Sequence, residues 1–229
     1  HRDLHSFPTR RSSDLGCSRC GNTGKMYEES VEELISGLFL KEAKGADSSF
    51  HGAGREDIDV LMLGNGRPFV LEIKSPKIRN INLQKLENEV NQQNEERVKI
   101  SDLCFVEKEV VEKIKNTHLR KTYLAEIDAC LTEEEKRKIE EFFVDRDIYQ
   151  ETPNRVVHRR ADKTRIRKVY KVRTSKENCS SLEIYCDGGL YIKELISGDE
   201  ERTNPSIAEL LGKSIKCVLL NVISIEEKV

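Results

Sequence analysis

Short stretches of alternating apolar and polar residues recur along this chain, and they constrain its fold more than any other feature. The alternation is clear in Lys121–Ile127 and Thr164–Thr174, and a further apolar stretch covers Lys216–Glu226. Such patterns predict strands that bury one face. Helical patterns cover Asn82–Asn94 and Glu133–Phe143, but strands and helices do not follow a regular βαβ order. We therefore expect an α+β fold with a central, largely antiparallel sheet.

Local signals predict where some elements begin and turn. Ser30 followed by Glu33 is the pattern of a capping box at the start of a helix. The Gly64–Gly66 segment contains Asn-Gly, which is typical of a tight hairpin turn. It therefore predicts a hairpin that joins a strand over Ile58–Leu63 to a strand over Pro68–Ile73.

Further extended segments are expected later in the chain. Val98–Glu107 and the stretch after the Gly188-Gly189 turn, up to Ile192, have the composition of strands. The segment Tyr149–Arg160 is also expected to be extended. Each of these expectations depends on short patterns alone.

Composition excludes several functional classes. The chain of 229 residues has 39 Lys and Arg against 41 Asp and Glu, so it has no overall basic field. Its apolar runs are too short to cross a bilayer. The seven cysteines, an odd number in a chain of this length, do not indicate a disulfide framework. We expect a cytoplasmic protein, with most cysteines serving as small apolar residues.

The first 15 residues differ from the rest of the chain. Residues 1–15 show no apolar periodicity and resemble translated sequencing-adaptor sequence, so we exclude them from the fold prediction. The natural protein is then expected to begin upstream, and this chain to be its C-terminal part.

Positive charge is concentrated in one segment. Between Arg155 and Arg173 nine residues are Lys or Arg and one is an acid, Asp162, whereas Glu126–Asp147 is acidic. Strict alternation would place one row of side chains on a single face: Arg165, Arg167, Val169, Lys171 and Arg173. Such a row is suited to a phosphate backbone, so we favour nucleic-acid binding. The alternative is a solvated sheet face.

The segment Gly54–Val60 is the first candidate for chemistry, because it places three acids and an arginine in a glycine-flanked turn. An exposed carboxylate beside a guanidinium is held in its charged form. Taken alone, however, Asp next to Gly more often serves as a backbone acceptor in a turn.

The same region permits a second interpretation. Asp59 together with Glu72 and Lys74 matches the D…ExK pattern of Mg²⁺-dependent nucleases, in which two carboxylates bind the metal and the lysine positions water. This pattern is short and arises readily in a chain rich in Glu and Lys.

Two cysteines near the N-terminus have the spacing of metal ligands. Cys17 and Cys20 form a CxxC pair, but a closed structural zinc site needs four ligands and the chain has no second such pair. They therefore represent half of a possible site.

Taken in order, five segments resemble one family of enzymes. The segments are HGAGREDIDV (51–60), NGRPFVLEI (65–73), KTYLAEI (121–127), QETPNRVVHRRADKTRIRKV (150–169) and GGLYIKELISGD (188–199). They resemble the tenth family of tRNA pseudouridine synthases of archaea and eukaryotes. The resemblance implies the pseudouridine synthase fold, with an RNA-binding cleft across a largely antiparallel sheet. It also implies isomerisation of uridine in the tRNA T-arm, at positions 54 and 55, without a cofactor.

The resemblance assigns roles to individual residues. Asp57 matches the catalytic aspartate, which acts on the ribose as nucleophile or as base. Arg55 resembles the arginine that extrudes the nucleotide and holds the aspartate. Tyr123 resembles the aromatic residue that stacks on the target base and assists proton removal. Lys193 resembles the basic residue that pairs with the aspartate.

The resemblance also assigns partners. tRNA is the expected partner, with no membrane and no nucleotide cofactor. The residues expected to bind RNA are Arg155, His158, Arg159, Arg160, Arg165 and Arg167.

The resemblance divides the chain at residue 51, with one departure from the family. Residues 16–50 are expected to hold the remnant of a Cys-rich linker and a first helix, and residues 51–229 the catalytic domain. Zinc binding is then a property of the intact protein. Leu61 stands where the family usually has an arginine, which predicts reduced activity if that arginine contacts RNA or braces the sheet. A nuclease or a non-catalytic RNA-binding module remain the alternatives.

Overall fold

The computed structural model describes four stretches of the chain. They are residues 29–57, 59–116, 119–157 and 161–226. In chain order the elements are α1 (Val31–Ala43), β1 (Asp47–Gly52), β2 (Leu61–Met62), β3 (Phe69–Lys74), α2 (Leu83–Gln93), α3 (Glu109–Asn116), β4 (Lys121–Ile127), α4 (Glu133–Phe142), β5 (Arg146–Gln150), β6 (Arg165–Thr174), β7 (Ser181–Cys186), α5 (Ile192–Ser197), β8 (Thr203–Asn204), α6 (Ile207–Leu211) and β9 (Cys217–Ile225). The described residues form two compact units, the first from residues 29–52 and 69–116, the second from residues 53–57, 59–68, 119–157 and 161–226.

The first unit combines the antiparallel pair β1–β3 with helices α1, α2 and α3. Its core consists of Ile35, Phe39, Leu86, Val90 and Ile100. The predicted capping box of α1 is confirmed: the Ser30 hydroxyl accepts from the Glu33 N–H at 3.2 Å, and the Glu33 carboxylate accepts from the Ser30 N–H at 3.0 Å. Two of the donors at the helix start are thereby satisfied.

The second unit contains a sheet with the strand order β2-β9-β4-β7-β6-β5-β8. All pairs in this sheet are antiparallel except β2–β9. Strand β4 shows the predicted alternation, because Tyr123, Ala125 and Ile127 are buried and the residues between them are only half-buried. Helix α6 packs on α4 and α5, and these two helices pack on strands β6, β8 and β9 of this sheet. The predicted α+β class with a largely antiparallel sheet is confirmed.

The predicted hairpin around Asn65 is wrong. Strand β3 pairs with β1, whereas β2 is only two residues long and pairs in parallel with β9. The Asn-Gly segment instead docks on β9: the Asn65 side chain donates to the Ile225 carbonyl at 2.7 Å and accepts from the Ile225 N–H at 3.0 Å. Gly64 has φ +66, and a Cβ there would lie 2.0 Å from the carbonyl oxygen of Ile223. The presence of Gly64 and Asn65 is therefore explained by their long-range contact with β9 and not by a hairpin turn.

Two predicted strands are also absent from the described residues. The segment after Gly189 forms a turn and then helix α5, since Gly189 has φ +87 and the Leu190 N–H donates to the Asp187 carbonyl. Residues 98–107 form no strand, because Asn91 of α2 satisfies both backbone groups of Ile100. At Ile100 the side-chain amide of Asn91 thus takes the place of a partner strand.

The basic row predicted for β6 is divided between two faces. The register of β6 on β7 shifts between Val169 and Lys171, so that Tyr170 is an extra residue, as in a β-bulge. Val169 and Val172 are therefore both buried, and Lys171 is turned away from the face that Val169 occupies. The expectation of five side chains on one face is wrong, because strict alternation fails at the bulge.

The cysteine prediction was wrong for two residues. Cys130 and Cys179 form a disulfide, with a Cα–Cα distance of 4.8 Å, between the segment that precedes α4 and the segment that precedes β7. Cys186 is buried as expected, whereas Cys104 is exposed. Within the described ranges, no helix has the length and apolar character needed to cross a membrane.

Candidate active site

The acids of the Gly54–Val60 segment lie on a loop of the second unit that leads into β2. Its start is held by the Ala53 N–H, which donates to the Pro68 carbonyl at 2.9 Å. Arg67 donates to the Gly54 carbonyl at 3.2 Å. The start of the loop is thus held by one backbone contact and one side-chain contact, and its carboxylates belong to two different clusters.

The first cluster surrounds Asp57. Its carboxylate oxygen Oδ2 lies 2.7 Å from Nη1 of Arg155 and 4.0 Å from Nζ of Lys193. Lys193 also donates to Asp59 at 2.6 Å, and this hydrogen bond lowers the pKa of Asp59. On its other side Arg155 donates from Nε to the buried carboxylate of Glu194 at 2.6 Å. We call these five residues the Asp57 cluster.

Helix α5 supplies two members of the Asp57 cluster in its first turn. The helix has no side-chain N-cap, but Gln150 of β5 holds the backbone at its start. The Gln150 side chain accepts from the Tyr191 N–H and donates to the Tyr191 carbonyl, both at 2.9 Å. Because Gln150 is itself buried, the start of α5 and hence Lys193 and Glu194 have a fixed position.

Arg155 lies on a turn that follows β5. The Val156 N–H donates to the Pro153 carbonyl at 2.9 Å, and the Asn154 N–H donates to the Asp199 carboxylate at 2.9 Å. Burial by itself would lower the pKa of Arg155, but the hydrogen bonds and charges of Glu194 and Asp57 outweigh it and raise that pKa. Arg155 is therefore a permanent cation in this cluster.

The second cluster surrounds Glu56. Its carboxylate accepts a short hydrogen bond from Lys121 and lies 3.4 to 3.5 Å from the Tyr123 hydroxyl. Burial and then the charge of Glu56 raise the pKa of Tyr123 well above its ordinary value, so its hydroxyl stays protonated at neutral pH. With Arg67, whose charge also acts on Glu56 and Tyr123, these residues form the Glu56 cluster.

The structure brings some of the predicted site residues together and separates others. Asp57 and Lys193 lie in one cluster, while Tyr123 lies in the other. Arg55 is exposed, and among the described residues the cations on Asp57 are Arg155 and Lys193. Arg155, predicted to bind RNA, thus has carboxylates as its partners.

The remaining predicted RNA-binding residues are only partly described. Arg165 donates to the Thr152 hydroxyl at 2.9 Å, and its guanidinium lies 6.0 Å from the ring centre of Tyr191. Arg167 donates to the carbonyl of Ile166, its own neighbour in sequence. His158, Arg159, Arg160, Cys17 and Cys20 lie outside the described residues, so zinc binding by the two cysteines stays a prediction.

Four members of the two clusters were missed by the sequence analysis: Glu56 as an anchor, Arg67, Lys121 and Glu194. A signal existed for Lys121, because it occupies a buried position in the alternation of β4, and a buried lysine requires a carboxylate partner. No comparable signal marked Glu194, whose burial depends on the packing of α5.

The residues proposed for a nuclease each have other partners. Asp59 pairs with Lys193, Glu72 contacts His51 at 3.1 Å, and Lys74 pairs with Asp47 at 3.0 Å. In the part of the chain that the structure describes, no three His, Cys, Asp or Glu side chains are grouped so that they could hold a metal ion. The described geometry gives the nuclease interpretation no support.

Comparison with known proteins decides the family. Residues 12–226 match the family model described as "Pus10, C-terminal". This chain belongs to the Pus10 C-terminal family. The tRNA pseudouridine synthase Pus10 of Methanocaldococcus jannaschii is 53% identical over 225 residues, which are 96% of this chain and 49% of that protein. That of Methanothrix thermoacetophila is 47% identical over 222 residues, with the same coverage of both chains. The chain thus spans about half the length of these Pus10 relatives.

A solved structure shares the fold of this Pus10 C-terminal domain. A chain in the crystal structure of a Cbf5-Nop10-Gar1 complex matches with a TM-score of 0.50 and 17% identity, over 86% of this chain and 45% of that chain. At this level of identity the similarity concerns the fold alone. It agrees with the pseudouridine synthase fold expected from the sequence motifs.

Proposed function

We propose that this chain is the catalytic part of a tRNA pseudouridine synthase that acts in the cytoplasm. Its substrate would be uridine in the tRNA T-arm, at position 54, position 55 or both, and the reaction would need no cofactor. The observation that carries the proposal is the Asp57 carboxylate, held between Arg155 and Lys193 in a Pus10-family chain and still partly open to solvent.

The reaction breaks the bond between ribose and uracil, rotates the base and joins it again through carbon. Asp57 would act on the ribose, since its carboxylate is accessible and two cations fix its orientation. The target nucleotide must leave the folded RNA to reach this carboxylate. Lys193 would balance charge as the bond to the base breaks and forms again.

Rejoining through carbon leaves a proton on that carbon which a base must remove. The hydroxyl oxygen of Tyr123 is suited to accept it, because its own proton already points to the Glu56 carboxylate. In this step the carbon–hydrogen bond breaks, the tyrosine oxygen takes the proton, and the original hydroxyl proton passes to Glu56. The raised pKa of Tyr123 favours such a relay over a free phenolate.

RNA binding would use the basic segment that follows Arg155. Arg165 and Arg167 lie on β6. Just before this strand, Lys163 is held in place because the Thr152 hydroxyl accepts from the Lys163 N–H at 3.1 Å. We expect Arg159 and Arg160 to contact phosphates, so that replacing both by alanine weakens tRNA binding and lowers its salt slope by about one to two units. An unchanged slope would remove these two residues from the interface.

The experiment uses unmodified tRNA transcript, the full chain and EDTA, with carbodiimide-based mapping of pseudouridine at single-nucleotide resolution. Modification in the T-arm that disappears in Asp57→Ala would support the reaction, the substrate and the role of Asp57 together. Tight tRNA binding without modification would favour a non-catalytic RNA-binding module, and Leu61→Arg would then be tested. RNA cleavage that requires Mg²⁺ would instead favour the nuclease.

A further inference from the structure

Arg155 is the residue that joins the two carboxylates of the Asp57 cluster. Its Nε donates to Glu194 at 2.6 Å, its Nη2 lies 3.4 Å from the second oxygen of the same carboxylate, and its Nη1 contacts Asp57 at 2.7 Å. Each of its three nitrogens therefore has a carboxylate partner. The planar guanidinium can bind one carboxylate through two nitrogens and hold a second at a fixed angle, whereas a lysine ammonium has no such rigid fork.

We propose that Arg155 is a positioning residue for the isomerisation, which acts through Asp57 and does not bind RNA. The proposal rests on the proposed function and deepens it. Glu194 fixes one edge of the guanidinium, and the opposite edge then fixes the Asp57 carboxylate in the orientation that the ribose requires. Loss of this contact would leave Asp57 on its loop with Lys193, 4.0 Å away, as its nearest cation among the described residues.

The support for Arg155 is rigid on both sides. Glu194 is buried and lies in the first turn of α5, whose start Gln150 holds. The turn that carries Arg155 is bound to the residues after α5, since Asn154 donates from its backbone to Asp199 and from its side chain to Glu200. The guanidinium is thus placed before substrate arrives, as preorganised catalysis requires.

The test separates binding from chemistry in Arg155→Met. We measure single-turnover rates with saturating enzyme, and tRNA affinity by filter binding at several salt concentrations. The expected result is a rate about 100-fold lower, a size typical of a misplaced reacting group. The Kd and the salt slope stay within twofold of the wild type. Arg155→Lys should recover at most part of the rate, and Arg137→Met, on an exposed arginine of α4, should change neither quantity.

A second variant distinguishes a specific loss of rate from a general loss of stability. Arg155→Met leaves the buried Glu194 carboxylate without its partner, so we also prepare Arg155→Met/Glu194→Gln, which removes the unpaired charge. Its unfolding temperature should return toward that of the wild type while its rate stays low. A rate that recovers together with stability would overturn the proposal, because the role of Arg155 would then be structural.

Other outcomes also overturn it. A weaker Kd with a salt slope lowered by about one unit would make Arg155 an RNA contact. Full activity in Arg155→Met, with an active wild type, would refute the positioning role and leave the proposed function standing. No modification by the wild type, despite tRNA binding, would refute the proposed function itself.

Discussion

Glu56 and Asp57 are neighbours in sequence, but their carboxylates lie in surroundings of opposite character. The Glu56 side chain is 15% exposed and its partner Lys121 only 5%. In the Asp57 cluster, Asp57 is 28% exposed and Asp59 62%. The Glu56 carboxylate is largely buried beside the sheet, whereas the Asp57 carboxylate is held by two cations and is more exposed to solvent.

This difference in burial indicates that the two consecutive residues have different roles. A buried ion pair is costly to disrupt and holds the backbone in one place. An accessible carboxylate between two cations can exchange a protein contact for a substrate contact. We therefore expect the Glu56 cluster to anchor the loop and to remove the proton through Tyr123, and the Asp57 cluster to act on the ribose.

The largest effect is expected for the Asp57→Ala variant, which tests whether Asp57 has a role that other exposed carboxylates lack. We expect the rate of pseudouridine formation to fall by at least about 10³-fold, as for groups that act on reacting atoms, with the unfolding temperature and tRNA affinity nearly unchanged. The matched control is Asp147→Ala, which removes an exposed carboxylate that pairs with Lys168. Equal losses in the two variants would show that Asp57 has no special role.

Glu56→Gln should act on stability. It leaves the Lys121 ammonium buried without a charged partner, and we expect the free energy of unfolding to fall by about 3 kcal/mol. The measurement is urea unfolding at neutral pH. The double variant Glu56→Gln/Lys121→Met should recover most of this loss. If the double variant is no more stable than the single one, the Glu56 cluster is not an anchor.

Tyr123→Phe tests whether the two clusters act in one reaction. The ring is retained and the hydroxyl that points to Glu56 is lost, so we expect a rate about 100-fold lower with tRNA binding retained. Tyr170→Phe is the control, since Tyr170 also donates to a carboxylate, that of Asp187. An unchanged rate in Tyr123→Phe would limit Tyr123 to stacking.

The smallest effect is expected for Asp59→Asn. Lys193 lowers the pKa of Asp59 in the folded protein, so this pair stabilises the fold above the ordinary aspartate pKa. Because both side chains are partly exposed, the loss at neutral pH should stay within about 1 kcal/mol. The difference from the wild type should vanish as the pH falls through the lowered pKa, and urea unfolding across the acid range measures it.

Much of the fold follows from local pattern. The alternation over Lys121–Ile127 predicted β4, and Ser30 with Glu33 predicted the start of α1. In these cases the residues that determine the element lie within it, and burial on one face is enough to choose a strand or a helix.

Elements that depend on distant partners were not predictable. The Asn65 turn was assigned to a hairpin because its real partner, Ile225, is 160 positions away. The bulge at Tyr170 places Lys171 on the opposite face of β6 from the one predicted, and no residue type in the sequence indicates such a shift of register. The motif resemblance indicated Asp57 and Lys193. The contact of Arg155 with both Asp57 and Glu194 depends on tertiary packing and was not predictable from the sequence.

The attachment of Asn65 to Ile225 also has a consequence for the order of events in biosynthesis. The motif that bears Glu56 and Asp57 is synthesised before β9, so the contact that holds the following turn at Asn65 cannot form until β9 has been made. Closing so long a loop is slow and entropically unfavourable until the contacts that reward it are formed. Nascent chains that stop short of Ile225 therefore carry Glu56 and Asp57 while the turn that follows them still lacks its attachment to β9.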